Sequence, residues 1–210
     1  MQIRTVPNGP LATNSYILTT DDGAYLIDAP SPSSALIQEI EALGLPLLGI
    51  WLTHGHFDHV MALSGLKEKW PEAEIAIASA DAGLLDKQVC SSYAAAFGLA
   101  PADQIPGPDR LVSDRDITPF GFTVISTPGH TPGSICLYSS ADRILFTGDT
   151  LFESGVGRTD LGGNWHDLMA SLKKLDSLVA EDDVRIFPGH GGFSTMGRER
   201  TSNPYLRHLG

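Results

Sequence analysis

One short stretch constrains this chain more than any other. Thr53-His54-Gly55-His56-Phe57-Asp58-His59 places three imidazoles and a carboxylate within six residues. Imidazole and carboxylate are ligands for zinc, iron or manganese. With 7 His and 17 Asp among 210 residues, a His-x-His-x-Asp-His window has a chance occurrence on the order of one in a thousand over the whole chain. The bland alternative is a cluster of loop histidines satisfied by hydrogen bonds.

The pattern does not stand alone. Four times, a short apolar run ends in a tight turn and then a ligand-type residue. Leu47–Leu52 leads to the histidine cluster and Phe122–Ser126 to Thr127-Pro128-Gly129-His130. Ile144–Phe146 leads to Thr147-Gly148-Asp149, and Val184–Phe187 to Pro188-Gly189-His190. A side chain just beyond a strand end is held by a rigid element yet reaches a cleft. Glycine beside it lets the backbone approach an ion. Two histidines fall outside the scheme: His166, in the first turn of an expected helix, and His208, near the last residue. Both read as surface residues.

The rest of the pattern is α/β. Further short runs at Asn14–Thr19, Ala24–Ile27, Ile75–Ala78 and Ile135–Tyr138 read as strands. Helices are expected after Ser31-Pro32-Ser33, with Leu36, Ile37, Ile40 and Leu43 on one stripe and Gly44 as the stop. Others are expected over Val60–Trp70 and after Asn164, an N-cap with Asp167 three residues on. The stretch 84–109 is the least patterned and reads as a helical insertion or loop. Strands alternate with helices in both halves, which points to sheet layers sandwiched by helices. A length of 210 residues points to a single domain, 1–210.

Composition narrows the function classes. The net charge of −11 disfavours nucleic acid and anionic membranes as partners and leaves a small-molecule substrate. No run approaches the roughly 20 apolar residues of a spanning helix, and the opening residues lack the apolar run of a signal peptide. Cys90 and Cys136 form no C-x-x-C pair and read as reduced thiols, Cys136 within an apolar run. Together these give a cytoplasmic expectation; oligomeric state is left open.

The motifs as a group resemble the metallo-β-lactamase superfamily, and within it the short, single-domain relatives of glyoxalase II, the hydroxyacylglutathione hydrolases. The resemblance rests on Leu26-Ile27-Asp28, Thr53–His59 and Gly129-His130-Thr131-Pro132-Gly133-Ser134. It continues in Gly148-Asp149-Thr150-Leu151-Phe152, Gly157-Arg158-Thr159-Asp160 and Pro188-Gly189-His190-Gly191. It runs from Asn14-Ser15-Tyr16 to Asn203-Pro204-Tyr205.

The resemblance implies an αββα sandwich with the metal site at one edge between the two sheets. It implies that His54, His56 and His130 hold one divalent ion, that Asp58, His59 and His190 hold a second, and that Asp149 bridges them. Zinc is the first candidate, with iron or manganese as alternatives. It also implies that Asp28 supports the His54 loop from behind; as an ordinary strand-end residue it would cap the next helix instead.

Such a pair of ions activates a water between them and polarises a carbonyl, so a small thioester, hydroxyacyl-glutathione first, is the expected substrate. Asp58 also serves to orient the attacking hydroxide. No Gly-x-Ser-x-Gly elbow supplies a protein nucleophile. Arg158, placed after Gly155 and Gly157, is the candidate grip on a substrate carboxylate, with an ion pair to Asp160 as the alternative. Tyr93 and Phe97 either wall the pocket or bury the 84–109 stretch, and Phe152 is expected to pack as core.

Only 20 residues follow His190, so the C-terminal helical domain with which two-domain glyoxalase II enzymes grip glutathione is expected to be missing. The alternatives to a thioesterase are a persulfide dioxygenase using one iron at His54, His130 and Asp149, a lactonase, and a metal-binding scaffold without catalysis.

Overall fold

The computed structural model describes residues 1–100 and 104–207. Residues 101–103 of the 84–109 stretch and His208 therefore lie outside the described residues. Backbone contacts divide the chain into two compact units, Met1–Leu111 and Val112–Gly210.

In the first unit, β1 (Gln2–Asn8), β2 (Thr13–Thr19) and β3 (Ala24–Ile27) form an antiparallel meander. β3 then pairs in parallel with β4 (Leu47–Trp51), and β4 with β5 (Glu74–Ala78). Parallel neighbours need crossovers. The first is α1 (Ser33–Glu41), which buries Leu36 and Ile40. It ends at Glu41 with Ala42 as C-cap, so Leu43 and the expected stop, Gly44, lie in the turn that follows, where Gly44 has φ +65°, a conformation open to glycine. Its start is not capped by a side chain; Pro32 holds the N-cap position.

The second crossover corrects the expectation of one helix over Val60–Trp70. It is broken into α2 (Phe57–Val60) and α3 (Leu63–Lys69). Ala29, just past β3, supplies the reason. Its N–H donates to the His59 carbonyl (2.7 Å) and its carbonyl accepts from Ala62 N–H (2.9 Å). A tertiary contact thus takes the place of continued helical bonding and pulls Asp58 and His59 into a separate first turn. A 3₁₀ turn (Ser79–Leu85) leads into the unpatterned stretch, whose first half holds α4 (Lys87–Ala96). Ile17, Leu26, Ile50 and Ile75 of the sheet form one apolar cluster with Leu36, Leu63 and Leu66 of the helices.

β6 (Arg110–Val112), the edge strand beyond β5, carries the chain into the second unit. There β7 (Thr123–Ser126), β8 (Ile135–Ser139) and β9 (Ile144–Gly148) run antiparallel in sequence. After the small hairpin of β10 (Leu151–Phe152) and β11 (Gly155–Val156), α5 (Trp165–Leu178) crosses back to β12 (Arg185–Pro188), which is parallel to β9. β13 (Ser194–Thr195) and α6 (Met196–Ser202) follow. Asn164 caps α5 as the sequence suggests, its side chain accepting from Asp167 N–H at 3.1 Å. Leu168, Leu172 and Leu175 of that helix pack with Ile125, Cys136, Leu145 and Ile186 of the sheet. Among the described residues, no helix is long and apolar enough to cross a membrane.

Candidate metal centre

In the first unit, the pairing of Ile27 with Trp51 sets the carboxyl ends of β3 and β4 side by side. Loops beyond the carboxyl ends of parallel strands are where α/β proteins place ligands. Asp28 leaves β3 there with φ +59°, and Thr53–His59 leaves β4.

The buried Asp28 carboxylate organises that loop. It accepts from Thr53 N–H (2.8 Å), from the Thr53 hydroxyl (2.8 Å) and from His59 Nδ1 (2.8 Å). A carboxylate only accepts, so the His59 proton sits on Nδ1 and Nε2 is left with a lone pair for a metal. The same logic reaches His54. The Thr53 hydroxyl gives its proton to Asp28 and so accepts from His54 Nδ1 at 3.1 Å, which again leaves Nε2 as the ligand atom. Asp28 thus fixes two imidazole tautomers; α1 has its own N-cap in Pro32, so the helix-capping reading of Asp28 falls away.

A second buried carboxylate, Asp81, was not singled out in the sequence. It accepts from Gly55 N–H at 2.9 Å and ties the turn to the 3₁₀ segment. Gly55 is needed for that closeness, because a Cβ there would lie 2.6 Å from Leu84 Cβ. The His54 ring lies 4.9 Å from that of His56, edge-on, and 4.1 Å from that of His59. Tyr93 packs on the His56 ring at 5.7 Å and Phe97 on Phe57 at 5.4 Å, so both aromatics of the unpatterned stretch back the ligand turn. Asp58 Oδ2 accepts from the Thr13 hydroxyl at 3.0 Å and stands 3.6 Å from His59 Nε2.

The second unit brings three strand-end residues together. β9 and β12 place Gly148 opposite Pro188, and Gly189 N–H donates to the Gly148 carbonyl (2.8 Å), so Asp149 and His190 leave the sheet as neighbours. His130 arrives from β7 through Gly129, whose φ is +145°. Asp149 Oδ2 lies 3.5 Å from His130 Nε2 and 3.5 Å from His190 Nε2.

Here backbone and glycine packing do the positioning. His130 Nδ1 donates to the Arg158 carbonyl at 2.7 Å, which again presents Nε2 as the ligand atom. Gly157 permits this, since a Cβ on it would fall 1.9 Å from the Asp149 carbonyl oxygen. The hairpin leading to that loop is itself anchored. Asn203 Nδ2 donates to the Gly155 carbonyl (3.0 Å), and the buried Glu199 accepts from Ser154 N–H (2.8 Å).

The donor sets fit a divalent cation. Separations of 3.5 and 3.6 Å are too long for strong hydrogen bonds. Two ligands each about 2.1 Å from one tetrahedral ion lie about 3.4 Å apart, which matches. Imidazole nitrogen with carboxylate oxygen suits zinc, iron or manganese.

The Arg158 guanidinium forms a two-point ion pair with Asp160, 2.6 and 2.7 Å, on an exposed surface. That hydrogen bonding holds the Asp160 carboxyl down at about 2. In this structure the Arg158 side chain is engaged in the ion pair, while its carbonyl serves His130. Phe152 is half-buried and meets the His190 ring edge-on at 6.2 Å, so it is not plain core. The His166 side chain is 93% exposed, in keeping with a surface residue. Both cysteines are buried free thiols, and burial pushes each up to about 11.

Residues 8–190 match the family model of the metallo-β-lactamase superfamily. A hydroxyacylglutathione hydrolase, GloC of Haemophilus influenzae, is 34% identical over 98% of this chain and 98% of its own length. The solved structure of TTHA1623 in a di-iron-bound form is 37% identical, with a TM-score of 0.89 over 97% of this chain and all of that one (100%). That of BLEG-1, a B3 metallo-β-lactamase, is 32% identical, with a TM-score of 0.88 over 98% of this chain and 99% of that one.

Proposed function

The chain belongs to the metallo-β-lactamase superfamily and is a metal-dependent hydrolase of that fold; from that premise we propose that it cleaves a small thioester at a two-metal centre. The observation that carries the two-metal reading is the pair of donor sets, four ligand-type side chains in the first unit and three in the second, with the three Nε2 atoms of His54, His59 and His130 aimed by hydrogen bonds at their Nδ1 atoms. Seven ligands are too many for one tetrahedral ion. In this reading His54, His56 and His130 would hold one ion, Asp58, His59 and His190 would hold the other, and Asp149 would contribute to both.

When bound, two divalent ions supply a nucleophile from water at neutral pH and polarise the carbonyl under attack. The chain's own groups do the rest. Asp28, through Thr53 and directly, keeps His54 and His59 in the ligand tautomer. Asp58, fixed by Thr13, orients the attacking water. The products are a carboxylic acid and a thiol, and a thiolate leaves without a strong general acid. The likeness to GloC makes hydroxyacyl-glutathione the first thioester to try.

Zinc is the first metal of this proposal, and the di-iron form of TTHA1623 makes iron the second. We place the protein in the cytoplasm, as one domain acting on a small molecule. The test is a hydrolysis assay on protein loaded separately with zinc, iron or manganese, against thioester, lactone, β-lactam and persulfide substrates. Thioester cleavage with thiol release in at least one metal form is the expected result. Oxygen consumption with a persulfide, and no thiol release from any thioester, would replace the proposal with an iron dioxygenase.

A further inference from the structure

Beside the ligand turn, and wholly within the first unit, lies a cavity of about 210 Å³ with Asp58 in its wall. Four separate pieces of chain line it: the turn between β1 and β2, the Pro30–Pro32 segment after β3, the start of the α2–α3 crossover, and Leu99–Ala100 beyond α4. Three polar side chains on this wall, Asn8, Thr13 and Asp58, already have partners. Asn8 Nδ2 donates to the Pro30 and Pro32 carbonyls, both at 2.8 Å, which straps the turn to the segment opposite. The Thr13 hydroxyl donates to Asp58. Gly9 makes the strap possible, since a Cβ there would meet the Ser31 carbonyl oxygen at 2.6 Å. The larger apolar side chains that line it are Leu11, Phe57, Met61 and Leu99.

A pre-formed pocket of this kind accepts hydrocarbon and rejects charge. The carboxylates of the glutathionyl half of a thioester would meet here, among the described residues, no cationic side chain, only the like-charged Asp58. We propose that the cavity receives an unbranched apolar acyl chain whose carbonyl end lies at Asp58, so that the substrate class is medium-chain acyl thioesters. The inference rests on the thioester reading above and narrows it. At roughly 30 Å³ for each water-sized group, the space holds a chain of about seven carbons. Each methylene buried is worth about fourfold in affinity.

Two measurements test this. The first is a series of glutathione thioesters from acetyl to dodecanoyl on the metal-loaded protein. KM should fall about fourfold per methylene up to about seven carbons and then stop falling. Met61→Trp and Leu11→Trp each fill the cavity from a partly exposed position and should shift the preferred chain by several carbons; two variants guard against one failing to fold.

The second is a titration of the metal-free protein with hexanamide, a neutral probe, read by NMR at the methyl groups of Leu11, Met61 and Leu99. Saturable shifts at those methyls, lost in the tryptophan variants, support the cavity even if no thioester is cleaved, which would sink only the hydrolase reading. Thioester cleavage that ignores chain length, with the methyl signals unmoved by hexanamide, would overturn the cavity's role and leave the hydrolase reading standing.

Discussion

The two units supply ligand-type residues by different means. In the first, His54, His56, Asp58 and His59 are nearly contiguous, and buried carboxylates hold them: Asp28 on Thr53 and His59, Asp81 on Gly55. In the second, His130, Asp149 and His190 come from three strand ends, and what holds them is backbone: the Arg158 carbonyl, the Gly148–Gly189 hydrogen bond and the missing Cβ of Gly157. A contiguous ligand turn is floppy unless charge pins it. Strand ends are already rigid and need only room. The first half should therefore break when a charge is removed, and the second when volume is added.

The largest effect is expected at Asp149. In the proposed centre it neutralises part of the charge of both ions. Asp149→Asn keeps the shape and removes the charge, so it should fold normally, bind metal more weakly and hydrolyse thioesters at least about a hundredfold more slowly. Near-native turnover with full metal content would mean that Asp149 is not shared.

Next comes Asp28, on which the contrast depends most. Asp28→Asn retains an oxygen for Thr53 but cannot offer an acceptor to every donor around it. Metal affinity measured by competition with a chelator should fall about 10- to 100-fold, the scale for a carboxylate behind a metal-bound imidazole. An unchanged affinity would show that the Asp28 charge does not hold the ligand turn of the first half.

Gly157→Ala is the counterpart in the second half. The added methyl must displace the Asp149 backbone, and overpacking of this kind costs about 1–3 kcal/mol in thermal or urea unfolding. Alanine at Gly83, which has open space around it, should cost far less. Equal stability of the two variants would show that shape does not hold the second half.

The smallest effect concerns the Arg158–Asp160 pair. The Arg158 hydrogen bond holds the Asp160 carboxyl low, at about 2, so the pair contributes above the ordinary carboxylate value of about 3.9. That contribution fades as pH falls toward 2. Arg158→Ala should thus lower Tm slightly at pH 7, and the difference from wild type should shrink between about pH 4 and 2. Kinetics separate the two roles of this arginine: a raised KM for a glutathione thioester with kcat little changed would give the guanidinium a substrate-binding role, whereas unchanged kinetics would leave the ion pair as its task.

What the sequence disclosed follows the same division. The ligand turn was legible because its residues are rare types close together, and the strand ends because apolar runs stop just before Gly-His or Gly-Asp. Asp28 could be named as a support. Asp81 could not, since it lies in a 3₁₀ turn with no pattern around it and reaches Gly55 only through the fold. The Arg158 carbonyl was invisible for a deeper reason: every residue has a carbonyl, so no side-chain type marks the one that orients His130. The break between α2 and α3 was hidden likewise, because backbone groups of Ala29 cause it. β1 went unread because Gln2–Asn8 mixes polar residues and Pro7 into an outer strand whose role is to pair with β2.

In the proposed function, ligand-type residues of both units would serve one centre for two ions. The most direct measurement is a crystal structure of the metal-loaded protein with anomalous diffraction at the absorption edge of the metal. The account predicts two anomalous peaks per chain, about 3.5–4 Å apart, with Asp149 against both and His190 and Asp58 on the same ion. A single fully occupied peak, with His190 or Asp58 turned away from it, would contradict the account.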